Sequence, residues 1–194
     1  HHIARECHDA GFDVTVFDLP GHGKSTSRRC SVPEVISCID HLSGEIGPFD
    51  HVISHSIGSI AALNSVRGEN DFKSVVTISL PSLTIRPLFA DFVRMFGLPE
   101  ERYTDIMFGY YEKKYGQRVS SLDPVGFADG LHVRSLIIHC KDDMDADVSS
   151  SEGLHKEVSN SEILLTEGLG HRRILRAELV SDKIVDFLGG RVSG

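Results

Sequence analysis

The sequence predicts an α/β fold, a mostly parallel sheet flanked by helices, and two observations carry that expectation. Short apolar runs recur along the chain, and stretches with helical spacing alternate with them. Runs that are apolar throughout, rather than on alternate residues, are what a parallel sheet covered on both faces demands. At 194 residues the chain is the size of one domain, or one domain with a small insert.

The elements follow in order. IARECHDAG, ending at Gly11, reads as the last turns of a helix with a glycine C-cap. FDVTVFDL (12–19) is short and β-branched and predicts a strand stopped by Pro20-Gly21. After Ser31-Val32-Pro33, the residues Val35, Ile36, Ile39, Leu42 and Ile46 recur at helical spacing, and Gly47-Pro48 is the stop. HVIS (51–54) predicts a second strand, and Ile57 to Val66 a mostly buried helix. Three further strands are expected at SVVTISL (74–80), SLIIHC (135–140) and EILLT (162–166). Residues 149–158 are helical in composition, and Ile174 to Leu188 presents one broad apolar helical face.

Residues 83–133 break the rhythm. They hold Phe89, Phe92, Phe96, Tyr103, Phe108, Tyr110, Tyr111, Tyr115 and Phe127, in a stretch far longer than a usual strand-to-helix loop. The expected organisation is a core of residues 1–82 and 134–194, with 83–133 as a helical cap inserted into it. Ordinary packing helices are the bland alternative for that segment.

Charge and composition exclude several classes. Twenty basic against 28 acidic side chains give a net charge of −8, which repels phosphate backbones, so no nucleic-acid partner is expected. No apolar stretch approaches the roughly 18 residues a membrane span needs. The amino terminus carries His and charge where a signal peptide carries an apolar core. Cys7, Cys30, Cys38 and Cys140 show no C-x-x-C spacing and read as free thiols in a reducing, cytoplasmic setting. Oligomeric state is not legible.

Ser54-His55-Ser56-Ile57-Gly58 lies where a strand turns directly into a helix. Small residues two before and two after Ser56 suit a sharp turn that lifts its hydroxyl above the sheet. The Ile57 amide would then face a developing oxyanion. Asp142 and Asp143 follow the strand ending at Cys140, and His171 follows the strand ending at Thr166. Each lies just past a parallel strand, and the order Ser, acid, His matches one known arrangement for nucleophilic catalysis. Taken singly, Asp142 and Asp143 could merely cap the following helix, and any of the eleven histidines could be a surface or packing residue.

Gly23-Lys24-Ser25 imitates the end of a phosphate-binding loop. Asp18 stands where the first glycine should be, and Pro20 removes a donor N–H, so nucleotide binding is not expected. No spacing supports a metal site, and no cofactor is expected.

With these residues in view, the chain resembles the α/β-hydrolase fold superfamily. The matching pieces are Val16 to Ser25, which is similar to that superfamily's D-x-P-G-H-G-x-S turn, then Ser54 to Ser59, Leu136 to Asp143, and Gly168 to Leu175. The resemblance implies Ser56 as nucleophile, His171 as base and Asp143 as acid, with Ile57 N–H in the oxyanion hole. Asp143 is preferred to Asp142 because it stands three after Cys140, the usual glycine of H-G-x-x-D. Ser54 departs from the usual glycine. The resemblance also implies an amino-terminally truncated hydrolase: the first strands, the loop with the second oxyanion donor, and a strand between 12–19 and 51–54 would be missing. Loss of one such donor costs about 100- to 1,000-fold in rate.

The expected function is a serine hydrolase, esterase- or lipase-like, cleaving an ester, thioester or amide of a small acyl substrate without a cofactor. A non-catalytic binding or regulatory domain of the same fold, or an inactive fragment, is the alternative.

Overall fold

The computed structural model describes residues 2–68 and 70–189, so residues 1, 69 and 190–194 of the expected core lie outside it. The chain runs through α1 (His2–Asp9), α2 (Val32–Ile46), β1 (His51–His55), α3 (Ile57–Val66) and β2 (Ser74–Ile78). It continues through α4 (Arg86–Met95), α5 (Glu100–Tyr115), β3 (Arg134–Cys140), α6 (Val148–Glu157), β4 (Ser161–Thr166), α7 (Gly170–Arg173) and α8 (Glu178–Leu188).

The four strands form one sheet in the order β1-β2-β3-β4, and every neighbouring pair is parallel. The register sets Val52 beside Val75, Val76 beside Leu136 and Ile138 beside Leu164. All of β2 is buried, as is β3 beyond Arg134, which is why these runs are apolar without alternation.

The strands step one way across the sheet. Right-handed crossovers therefore put α3 and α6 on one face. There Ile60, Leu63 and Leu154 join Val35 and Ile39 of α2 over Val75 and Ile137. The opposite face, with Val76, Ile78, Leu136 and Ile138, is covered by Cys7 of α1 and Val180 and Ile184 of α8. Burying each such aliphatic side chain contributes about 1.5–3 kcal/mol. Because all strands are parallel, their carboxyl ends share one edge of the sheet, where the connecting loops gather.

Two expectations need correction. Residues 12–19 form no strand: Val14, Val16 and Phe17 are 38%, 65% and 37% exposed, and no described strand lies beside them to complete a ladder. A β-branched run without a hydrogen-bonding neighbour has nothing to hold it as a strand. The helix expected from Ile174 to Leu188 is interrupted. Ile174–Arg176 is a 3₁₀ turn, Ala177 is extended at φ −80° and ψ 124°, and α8 starts only at Glu178.

The turn after residue 18 behaves as its residues suggest. Asp18 Oδ2 accepts from the Lys24 amide at 2.8 Å, and the His22 ring donates from Nδ1 to the Pro20 carbonyl at 3.0 Å. Gly23 has φ +52°, and a Cβ there would stand 2.2 Å from Asp18 Cγ. Gly23→Ala is therefore expected to destabilise by at least about 1 kcal/mol, roughly 2–4 °C in a thermal melt. An unchanged melting temperature would contradict this account of the turn.

Between β2 and β3, α4 and α5 pack on one another. Phe89 stands edge-on to Phe108 and Tyr111, with ring centroids 5.1 and 5.8 Å apart. Three single 3₁₀ turns between Val119 and Gly130 lead back to β3. The carboxyl end of α5 is tied to α2: the Tyr115 hydroxyl meets Ser31 Oγ at 2.7 Å and donates to Glu34 Oε1 at 3.0 Å, and Lys114 Nζ donates to the same oxygen. Among the described residues no helix is long and apolar enough to cross a membrane. All four cysteines are unpaired.

Candidate active site

Ser56 follows β1 without a spacer and sits at φ 54°, ψ −129°, with α3 beginning at the next residue. A serine at positive φ is strained, and it is held there because its amide donates to Ile78 O at 2.9 Å while its carbonyl accepts from Ser59 N at 2.8 Å. Ser54 is accommodated because its hydroxyl turns to β2 and donates to Val76 O at 2.9 Å. A Cβ on Gly58 would meet nothing within 4 Å, so glycine there is not a steric necessity. Ile57 is the first residue of α3, and its amide belongs to the donors a helix start leaves without an intrahelical partner.

His171 is delivered by the loop after β4 and lies in the first turn of α7. Its Nδ1 donates to Asp143 Oδ2 at 2.8 Å, and its Nε2 stands 3.1 Å from Ser56 Oγ. With a carboxylate accepting at Nδ1, the proton resides there, and Nε2 accepts from the serine hydroxyl. Residues 28 and 115 positions apart are thus joined in one hydrogen-bonded line. Such a line can move a proton from Ser56 to His171 while the carboxylate faces the resulting imidazolium.

Asp143 lies three residues past β3, and its side chain is fully buried. Burial alone would raise its pKa. Hydrogen bonds from His171 and from the Asp145 and Ala146 amides, at 2.9 and 3.0 Å, outweigh that and hold the carboxyl below its ordinary range. Asp142, its exposed neighbour, points elsewhere: it receives the Cys140 thiol and the Gly168 amide.

Three further residues shape this site, and the sequence reading assigns none of them a role. Ser79, just past β2, is the other non-glycine at positive φ (53°) among the described residues and is fully buried beside Asp143. His139 is buried on β3, donating from Nε2 to Ala146 O at 2.9 Å and accepting from Ser151 at Nδ1. It stands 3.7 Å from Asp143 Oδ2. His55 donates from Nε2 to the His171 carbonyl at 2.9 Å. Burial pushes the His55 pKa down, which favours its neutral form beside His171. The H-G-x-x-D spacing that favours Asp143 has His139 as its first residue, and no pattern marks His55 or Ser79.

Ligand atoms of Asp143, Asp145 and His171 lie within 4.8 Å of one another. A cation among them would have to displace the His171–Asp143 hydrogen bond, so this donor set fits a proton relay better than a metal. A cavity of about 810 Å³ opens beside Ile57, walled by Phe89, Ile106, Met107, Tyr110 and Tyr111, with Ser31 and Lys114 at its polar side. That volume is within the usual range for small-molecule pockets.

Residues 1–183 match the family model described as Alpha/beta hydrolase family. No curated protein matches the chain. Among solved structures, a monoacylglycerol lipase of Paleococcus ferrophilus is similar at 22% identity and TM-score 0.71, covering 97% of this chain and 88% of that one. A lipase-esterase related protein from Clostridium acetobutylicum ATCC 824 is similar at 19% identity and TM-score 0.68, covering 95% and 88%. A bromoperoxidase from Bacillus anthracis is similar at 17% identity and TM-score 0.66, covering 96% and 87%.

Proposed function

The chain belongs to the alpha/beta hydrolase family, and from that premise we propose that it is a serine hydrolase of esterase or lipase type. The observation that carries this reading is the continuous line from Ser56 Oγ through His171 to Asp143, at 3.1 and 2.8 Å, beside an apolar cavity. Lipase and esterase names among the similar structures are in keeping with an ester substrate.

In this reading Ser56 Oγ attacks the acyl carbonyl as its proton passes to His171 Nε2. The tetrahedral oxyanion is met by the Ile57 amide. His171 then gives the proton to the departing alcohol, thiol or amine, leaving an acyl-Ser56 ester. Water, activated by the same imidazole, hydrolyses that ester. Asp143 keeps the proton on Nδ1 and stabilises the imidazolium between the two transfers. The sharp turn at Ser56 spends conformational strain on presenting the hydroxyl, as a nucleophile elbow does.

Residues 83–133 act as a cap over this site, and the apolar side chains of α4 and α5 form the acyl pocket. Phe89→Ala should enlarge the pocket. It is expected to raise kcat/KM for octanoate relative to butyrate 4-nitrophenyl esters several-fold, since each added buried methylene contributes about 0.8 kcal/mol. An unaltered chain-length profile would contradict the pocket assignment.

Hydrolysis of 4-nitrophenyl esters from acetate to decanoate tests the function itself. The expected record is a burst approaching one equivalent of nitrophenol, then slower steady turnover. A folded chain that turns over none of them would overturn the catalytic reading in favour of a binding domain of the same fold.

A further inference from the structure

We propose that Asp142 and Cys140, together with Arg173, are positioning residues that fix His171 for proton transfer by clamping the loop that carries it. The proposal rests on the reading of Ser56, His171 and Asp143 given above.

His171 is reached from β4 through Gly168, Leu169 and Gly170, which have φ of +77°, −97° and +59°. Alternating handedness turns successive amides toward one side, forming a concave nest that favours an electron-rich partner. The partners are on β3 and just past it. Gly168 N donates to Asp142 Oδ1 at 2.8 Å, while Leu169 N and Gly170 N donate to Cys140 Sγ at 3.3 and 3.1 Å. The Cys140 thiol in turn donates to Asp142 Oδ1 at 2.8 Å. The sulfur and the carboxylate thus act as one acceptor for three consecutive amides.

The carbonyl side of the same loop is held independently. Arg173 donates from Nη2 to Gly168 O at 2.8 Å and from Nε to Leu169 O at 3.2 Å. Beyond Gly170, His55 holds the carbonyl of His171 itself. The three amides from Gly168 to Gly170 and the carbonyls of Gly168 and Leu169 are therefore all tied. Cys140 is fully buried, so water does not substitute at the sulfur if it is removed. The Asp142 carboxyl is held below its ordinary range by the thiol, then by the Gly168 amide, with Arg173 adding to both.

Asp142 and Cys140 make their hydrogen bonds to the loop and not to Ser56, and neither lines the cavity, so their effect passes through His171. Two hydrogen bonds of 2.8 and 3.1 Å tolerate little displacement of that ring. A misplacement of about 1 Å can cost on the order of 100-fold in rate. A glycine at 140 would leave the amides of Leu169 and Gly170 without this acceptor. The serine and cysteine side chains, by contrast, both keep an acceptor in place.

The test compares Asp142→Ala, Asp142→Asn, Cys140→Ala and Cys140→Ser in the full chain. Readouts are kcat per titrated active serine, KM for 4-nitrophenyl butyrate, and the second-order rate of labelling by a fluorophosphonate. Both alanine variants are expected to lower kcat and labelling about 10- to 100-fold, with KM within about twofold. Asp142→Asn, which keeps an acceptor for Gly168 N and the thiol, should recover most of the loss, as should Cys140→Ser. The far-downfield proton resonance of His171 Nδ1–H gives a second readout: sharp in the parent and broadened by exchange in the alanine variants. A folded Asp142→Ala and Cys140→Ala with parental labelling rates and a sharp resonance would overturn the clamp. So would a loss that falls on KM, or on the fraction of active serine alone. If the parent itself is not labelled at Ser56, the hydrolase reading fails first. A parent labelled at the same rate as its variants defeats the clamp alone.

Discussion

Ser56→Ala is expected to lower kcat/KM for a short ester by about 10⁴- to 10⁶-fold while leaving the melting temperature close to that of the parent. The hydroxyl is the only group in the proposed line that can form the acyl bond. Its partner at 3.1 Å, His171, has no second hydroxyl to turn to at that distance among the described contacts. The backbone argues for a companion variant. Alanine at φ 54° is as strained as serine, whereas glycine occupies that region freely. Ser56→Gly should therefore stabilise the chain by about 1 kcal/mol while abolishing turnover to the same extent. Such a pairing, activity lost and stability gained, is what a functional residue held in a strained turn produces. Equal activity in Ser56→Ala, or a Ser56→Gly chain less stable than the parent, would contradict this account.

Asp143→Asn carries the second large effect, a fall in kcat of about 10⁴-fold with little change in KM. An asparagine amide can donate to His171 Nδ1, which would move the ring proton to Nε2 and leave nothing to accept the Ser56 proton. The same substitution alters the pH dependence of stability, and the sign follows from the direction of the shift. The Asp143 carboxyl is below its ordinary value in the folded chain, since its hydrogen bonds outweigh its burial. It therefore stabilises the fold above the unfolded-state value, and that contribution is lost as pH falls through the lower folded-state value. Below about pH 4 the parent should lose stability more steeply than Asp143→Asn, as read by urea melts at pH 7 and pH 3. Parallel pH profiles would remove the electrostatic part of the argument.

Much of this was legible in the residues, for a physical reason. Apolar runs such as Val75–Ile78 and Leu136–Ile138 are short and buried on both sides, so they betray a parallel sheet directly. The carboxyl ends of those strands then locate the loops that carry Ser56, Asp143 and His171. Residues 12–19 misled because β-propensity describes a side chain's fit to a pleated surface, and that segment has no neighbouring strand among the described residues. The break at Ala177 was hidden because apolar spacing continues smoothly from Ile174 into α8. The roles of His55, Ser79 and His139 could not be assigned for another reason: they depend on contacts with residues distant in sequence or on backbone geometry. Asp143 is preferred to Asp142 in the sequence on the H-G-x-x-D spacing alone. The reason the two adjacent carboxylates differ lies in the folded loop, where one meets His171 and the other Cys140 and Gly168.

The central claim is that Ser56 is an activated nucleophile, and intact-mass analysis after reaction with a fluorophosphonate tests it most directly. The chain should gain a single phosphonyl adduct, mapped by peptide sequencing to Ser56, and Ser56→Ala should gain none. A folded chain that stays unmodified, or one whose adduct lies on another residue and persists in Ser56→Ala, would contradict it.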